Sequence, residues 1–476
     1  MSPTAIKFGT DGWRALIAEE YTFENVRACA QGVAAYLKQT GAASKGLVVG
    51  YDTRFASEDF AAAVAEVVAA NGIPVYLCER AAPTPAVSYM VISLKAAGGV
   101  VITASHNPGR WNGFKYKPDY GGSASPEVIA ELERLIAEGQ RANATKRMPL
   151  AQAEAAGLVQ RVDAVPPYLE QLGRLVDIQA IRNAPIKIVV DSMYGAGLGL
   201  FTALLAGGKA TVEELHGERN PAFPGFDQPE PIAHNLKALS EAVRSRKADV
   251  GLATDGDADR LGLMDEQGTF VTQLQTFGLL VLHQLENLGE RGALVKSITM
   301  TDMAFKLGEL YKVPVFETPV GFKYIGPVMM REKALIGGEE SGGYGFRGHI
   351  PERDGILSGL YILSMMVTTG KRPAQLVEHL YSKVGPHHYD RVDITYDPAQ
   401  REAILERVKN AKPESLDGSA VQSINPQDGY RYKLADGSWA LIRFSGTEPL
   451  LRVYCETNSP QRVKSLLAAT RKLAGV

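Results

Sequence analysis

Three features of the sequence predict an α/β chain of several domains. The 476 residues are too many for one core, because domains average roughly 100–200 residues and the length implies about three or four. Runs rich in Val and Ile alternate with helical periodicities, the pattern of strands joined through helices. Residues 386–476 then break that rhythm with closely spaced strands and a closing helix, the mark of a separate α+β unit.

The elements follow in order. LVVGY at 47–51 reads as a buried strand, followed by a helix over 57–70 that Ser57 and the acids behind it are suited to cap. Strands at 73–78 and 99–103 enclose a helical pattern at 81–94, so residues 1–165 read as one parallel-sheet unit with a serine turn after its third strand. The polar, Ala-rich stretch 139–158 and Pro166-Pro167 interrupt the pattern and put a boundary at 165. A second unit, 166–267, holds strands at 186–191 and 211–215, a helix at 236–246 and the apolar run 249–254. A third, 268–385, holds apolar segments at 277–288 and 293–299, a helix at 303–311 and a strand at 313–316. The fourth, 386–476, has strands at 391–395, 430–433, 439–444 and 451–455 and a helix at 460–473. Three α/β units in series point to a distant internal triplication.

Composition narrows the function. A formal charge of −2 and a pI near 6.5 argue against nucleic acid or an anionic membrane as the main partner, since both favour a strong basic excess. Cys29, Cys78 and Cys455 are far apart and form no CxxC pair or even disulfide framework, which predicts small core residues in a reducing compartment. The opening Met1-Ser2-Pro3-Thr4 carries no basic and apolar leader pattern, and no run of about 18 apolar residues occurs, so a cytoplasmic protein is expected.

Polar turns after apolar runs carry the chemistry. Thr103-Ala104-Ser105-His106-Asn107-Pro108 follows Gly99-Val100-Val101-Ile102, which puts the Ser105 hydroxyl at a strand end, where open α/β sheets bind ligands. Plain turn chemistry would use the same residue types. Asp255, Asp257 and Asp259, with Gly256 and Ala258 between them, can curl onto one hard cation and leave positions for water and a phosphate oxygen, which favours Mg²⁺. A solvated acidic loop is the alternative. Arg443, Ser445, Gly446 and Thr447 combine a guanidinium, hydroxyls and a flexible glycine, the inventory of a phosphate cradle. Glu339 and Ser341 sit in a glycine-rich loop able to bond sugar hydroxyls or to serve as a simple turn. Lys115, Lys323, Arg14 and His349 are ordinary polar residues unless these turns give them company.

Taken together, FGTDGWR, TASHNP, NGFK, DGDADR, GFK, GEESGG and RFSGTEP, in this order along nearly the whole chain, resemble the α-D-phosphohexomutases. The resemblance implies four domains around a central cleft: three related α/β units with mixed sheets and a C-terminal α+β lid. It also implies that Ser105 carries the catalytic phosphate, with Ser105, Asp255, Asp257 and Asp259 around one Mg²⁺. Arg260, Lys115, His106 and Arg14 would surround that phosphate. Glu339, Ser341 and His349 would meet the sugar, and Arg443, Ser445, Gly446, Thr447 and Arg452 would hold the phosphate not being transferred. The implied reaction passes phosphate from Ser105 to a hexose phosphate through a bound glucose 1,6-bisphosphate, in a monomer or homodimer. GFK, GEESG and GHIPERDG look more like the glucose-phosphate branch than the mannose or glucosamine branches. Gly343 departs from the dual-specificity branch, which has a histidine there, and leaves Lys323, Lys115 and His106 as the candidate acid and base. Mannose or glucosamine phosphate as substrate, or release of the bisphosphate as product, are the alternatives within the family. A metal-dependent phosphatase and a non-catalytic sugar-phosphate sensor stand outside it.

Overall fold

The computed structural model describes residues 5–445 and 449–476. Its strands fall into four sheets, one after another along the chain. The first contains β1 (Trp13–Leu16), β2 (Leu47–Tyr51), β3 (Val75–Cys78), β4 (Gly98–Ile102), β5 (Trp111–Pro118) and β6 (Val159–Val162), in the order β1-β5-β4-β2-β3-β6. The second contains β7 (Lys187–Asp191), β8 (Thr211–Leu215), β9 (Val250–Thr254), β10 (Leu261–Met264) and β11 (Phe270–Val271), in the order β11-β10-β9-β7-β8. The third, β13-β12-β14-β15, is built from β12 (Leu294–Ser297), β13 (Val315–Thr318), β14 (Ile336–Gly338) and β15 (Tyr344–Phe346).

One four-strand motif recurs in all three. A first strand (β2, β7, β12) pairs in parallel with the next one on one side and with the third on the other, and the third turns back into an antiparallel neighbour. Each sheet therefore reverses its winding between its first and third strands, which opens a ligand crevice at their carboxyl ends. β2, β4 and β9 are buried at every position. Alternate side chains point to opposite faces, so such strands need cover on both sides, which the connecting helices supply.

The fourth sheet is antiparallel throughout: β16 (His388–Thr395), β17 (Ser415–Leu416), β18 (Ser419–Asn425), β19 (Tyr430–Leu434), β20 (Trp439–Phe444) and β21 (Leu450–Thr457), in the order β16-β21-β20-β19-β18-β17. Its period of two is visible in β20. Ala440 and Ile442 join a core with Leu466 and Val463 of the helix Pro460–Ala474 and Val408 of the helix Arg401–Asn410. Trp439 and Leu441 face the other way and pack on Ile298 of the third domain. Around that seam Arg431 pairs with Asp302 at 2.7 Å and Glu317 at 3.2 Å, and Lys296 pairs with Glu317 at 2.6 Å.

Several expectations need correction. The first sheet is mixed, as the family resemblance implies and the strand pattern by itself does not, because residues 111–118 form a buried strand despite Asn112, Lys115 and Lys117. Hydropathy conceals a strand whose charges are neutralised by ion pairs. With β1 ahead of it, the serine turn follows the fourth strand, not the third. The stretch expected to be a break instead holds the helix Leu150–Ala155 and β6, which pairs with β3. Ser57 does not cap its helix; Ala56 occupies that position with a φ of 54°, and the Ser57 hydroxyl donates to Asp52. The helix Arg401–Asn410 and strands β17 and β18 had no expectation, being short and largely polar. All three cysteines are free and buried, as expected. Among the described residues no helix is long and apolar enough to cross a membrane.

Candidate active site

The crevices of the first two sheets meet. Ser105 leaves the end of β4 with a left-handed backbone, φ 52°, and its hydroxyl donates to Asp255 Oδ2 at 2.8 Å, just past the end of β9. The two turns interlock closely: a Cβ on Gly256 would lie 2.4 Å from the Ser105 carbonyl oxygen, so only glycine allows that approach. Asp255 Oδ1 in turn accepts the backbone N–H groups of Asp259 and Arg260, which curls the acidic turn on itself.

Asp255, Asp257 and Asp259 are fully buried and bring one oxygen each within 4.8 Å of one another. Asp257 Oδ1 and Asp259 Oδ1 have no hydrogen-bond partner, an arrangement that buried carboxylate oxygens tolerate poorly unless a cation completes them. Three converging hard donors fit Mg²⁺. Burial, with the neighbouring carboxylates, raises the Asp255 pKa well above the ordinary aspartate value, and burial likewise raises Asp259. Burial opposes ionisation of Asp257 too, but Lys115 overcomes it and holds that carboxyl low.

Lys115 comes from β5 and is fully buried among Asp11 at 2.8 Å, Asp257 at 2.8 Å and Asp259 at 3.4 Å. Burial alone would lower its pKa, yet these three acids raise it, so the ammonium stays charged. His106 Nδ1 lies 3.4 Å from Ser105 Oγ. Burial first, then Arg260, Arg14, Lys115 and Arg54, pushes its pKa well below the usual imidazole value and keeps the ring neutral. Arg14 donates to Asn107 Oδ1 at 2.8 Å, and Arg260 donates to Glu230 at 2.7 Å while its Nε faces Asp255 and Asp259 at 3.9 Å. Ser105, His106, Lys115, Arg260, Arg14 and the three aspartates are thus brought together.

The third crevice supplies Glu339, at the end of β14 and only 5% exposed. Burial pushes its carboxyl up to about 7. Ser341 lies in the same turn, half-buried, and the turn is closed by Gly342 N–H to the Glu339 carbonyl at 3.1 Å. Lys323 stands near the start of the helix Phe322–Glu332, its ammonium 5.4 Å from the Tyr324 ring centroid. His349 is not brought into the cluster: its side chain has no exposed surface and sits 2.9 Å from Asp354, the cap of the helix Gly355–Thr369, with Tyr89 stacked on its ring. Arg443 and Arg452 face each other across β20 and β21, paired with Asp428 at 3.0 Å and Asp393 at 3.5 Å, and the Ser445 N–H donates to the Leu450 carbonyl at 2.8 Å. Gly446 and Thr447 lie outside the described residues.

Arg353 escaped the sequence reading. It reaches Asp11 at 2.6 Å, Asp259 at 2.9 Å and Glu339 at 3.7 Å, tying three domains together. It also fills the space beside Gly343, where a Cβ would lie 2.3 Å from Arg353 Cδ, so no larger residue fits there. The segment GHIPERDG contained the signal, but nothing in it distinguishes a buried arginine from a solvated one.

The four domain profiles described as phosphoglucomutase/phosphomannomutase match in order: domain I over residues 5–143, domain II over 166–268, domain III over 275–384 and the C-terminal domain over 398–473. The chain belongs to the α-D-phosphohexomutase family. The family's members are phosphotransferring mutases, and this chain is an enzyme of that kind. It is 31% identical over 466 residues to a phosphoglucomutase/phosphomannomutase of Thermococcus kodakarensis, covering 98% of each. It is also 33% identical over 467 residues to a probable phosphoglucosamine mutase of Methanothermobacter thermautotrophicus, covering 98% of this chain and 96% of that one. Among solved phosphohexomutase structures, one from Thermus thermophilus, provisionally named a phosphomannomutase, superposes with a TM-score of 0.86 at 34% identity and covers both chains fully.

Proposed function

We propose that this phosphohexomutase is a phosphoglucomutase, interconverting glucose 1-phosphate and glucose 6-phosphate through a phosphoserine at Ser105 and a bound glucose 1,6-bisphosphate. The observation that carries the mechanism is the Ser105 hydroxyl at 2.8 Å from Asp255, at the mouth of a buried three-aspartate group. In this reading the P–Oγ bond of phospho-Ser105 breaks as a new P–O bond forms to the free sugar hydroxyl. The bisphosphate then turns over and returns its other phosphate to Oγ. His106, neutral and 3.4 Å from Oγ, is best disposed to relay the proton that the sugar hydroxyl loses to the departing Ser105 oxygen, so that the transfer leaves no net charge on the ring. Lys115 is too firmly paired to exchange one and serves as fixed positive charge with Arg14 and Arg260. Asp255, Asp257 and Asp259 would hold Mg²⁺, which when bound offsets negative charge on the transferring phosphate. Glu339 and Ser341 meet the sugar hydroxyls, and Arg443, Arg452 and Ser445 bind the distal phosphate as the C-terminal domain closes and excludes water.

The division into 1–165, 166–267, 268–385 and 386–476 belongs to this reading, supported by one sheet within each. So does a cytoplasmic setting, which suits three free cysteines. Glucose phosphate is favoured by the GFK, GEESG and GHIPERDG segments. The relative named a phosphoglucosamine mutase favours a second reading, glucosamine phosphate. A coupled assay with Mg²⁺ and trace glucose 1,6-bisphosphate, run on glucose, mannose and glucosamine 1-phosphates, decides between them. The expected result is the highest kcat/KM on glucose 1-phosphate; preference for another sugar reassigns the substrate and leaves the phosphoserine mechanism to be tested separately.

A further inference from the structure

We propose that Arg54 is a positioning residue for phosphoryl transfer, holding the Ser105 turn in the strained conformation that aims its hydroxyl at the aspartate group. The inference rests on the reading of Ser105 as the phosphate carrier. Arg54 stands just past the end of β2, across the first crevice from Ser105, and is fully buried. Its Nη2 donates to the carbonyls of Ser105 and Asn107, both at 2.6 Å. Its Nη1 donates to those of Pro108 at 2.9 Å and Trp111 at 3.1 Å. One guanidinium thus gathers three carbonyls of the serine turn and that of Trp111, which opens β5. Its Nε faces Asp52 at 3.2 Å, and the Phe223 ring covers it with its centroid 4.8 Å away.

The loop needs such a hold. Ser105 has the left-handed backbone that glycine adopts freely and serine seldom does. Two contacts enforce it besides Arg54: Thr103 Oγ1 accepts the Ser105 N–H at 2.9 Å, and Gly256 packs against the Ser105 carbonyl oxygen beside the guanidinium. Asp52 anchors the Arg54 backbone N–H, at 2.9 Å, as well as the guanidinium. The carbonyl of Ser105 is therefore held by Arg54 and by the acidic turn together, and this sets where Oγ points. A lysine cannot replace the fork: its three donors radiate from one atom and do not span four carbonyls in a plane. Because an in-line transfer is sensitive to shifts of about 1 Å, a relaxed turn reduces the rate without removing any group that touches the sugar.

The test compares wild type, Arg54→Lys and Arg54→Ala in the full chain, by steady-state kinetics with glucose 1-phosphate, thermal melting and hydrogen exchange over residues 103–111. For Arg54→Lys the expected result is a kcat loss of about 100-fold with KM within about threefold, faster exchange confined to 103–111, and a melting temperature close to wild type. Millimolar guanidinium ion should restore part of kcat in Arg54→Ala but add nothing to wild type. A lysine variant with wild-type kcat and unchanged exchange overturns the proposal. So does a loss accompanied by a general rise in exchange and a lowered melting temperature, which marks a purely structural role. If wild type itself turns over no hexose phosphate, the underlying reading fails, whereas the exchange comparison still reports whether Arg54 holds the turn.

Discussion

The Ser105 cluster and the arginine pair of the C-terminal domain both face phosphate in this reading, yet they are built in opposite ways. Lys115, Asp257 and Asp259 have no exposed side-chain surface, and Lys115 alone pairs with three carboxylates. Arg443 and Arg452 keep 15% and 27% of their side-chain surface exposed, and Arg443 leans on Asp428 from a neighbouring loop. Buried charges tolerate no loose partner, because removing one leaves the others uncompensated at a cost of about 3–5 kcal/mol, whereas exposed pairs contribute roughly 0–1 kcal/mol. The first arrangement fixes atoms for bond making. The second can release one phosphate and accept another, as a sugar that must bind both ways round requires.

The largest expected effect lies in the fixed cluster. Ser105→Ala should lower turnover on the order of 10⁴-fold or more while leaving sugar-phosphate binding by calorimetry near wild type; comparable turnover would remove the serine from the reaction. Next, Lys115→Met should cost about 3–5 kcal/mol in denaturant unfolding, with Mg²⁺ recovering part of the loss because a bound cation replaces the missing charge. A loss below about 1 kcal/mol would show that the cluster is less tightly coupled than its burial implies.

Glu339 lies between the two regions, since its neighbour Glu340 accepts from Tyr389 at 2.6 Å and Arg391 at 3.2 Å of the C-terminal domain. Its carboxyl is raised to about 7, so the folded protein holds a proton that the unfolded chain releases near its ordinary value of 4.5. The stabilisation is therefore complete below about pH 4.5 and is lost as pH rises through about 7, on the order of 3 kcal/mol. Glu339→Gln should flatten that decline in melts between pH 5 and 8, and an unchanged slope would assign it to other groups. The smallest effect belongs to the open clamp: Arg443→Ala should raise KM for the hexose phosphate about tenfold with kcat changed less. Equal losses in both would mean that Arg443 acts in the transferring step.

The sequence carried the α/β alternation, the two chemical turns and the separate C-terminal rhythm, because each depends on residues close together in the chain. Val and Ile runs mark strands fully covered by helices, and Asp255, Asp257 and Asp259 meet through a turn of five residues. What it did not carry depends on distant neighbours. Residues 111–118 drew no strand expectation because Lys115 read as an ordinary polar residue, and only the approach of Asp11, Asp257, Asp259 and Glu352 makes a charged strand stable inside. His349 looked available for substrate until Asp354 and the tyrosines enclosed it. Arg353 and Arg54 carried no local signal because their partners are backbone carbonyls and acids brought in from other turns of the chain. Local pattern determined which segments form strands, helices and chemical turns; the tertiary structure alone decided which charges are buried together, because the energy of a buried charge is set by what surrounds it in space and not by its neighbours along the chain.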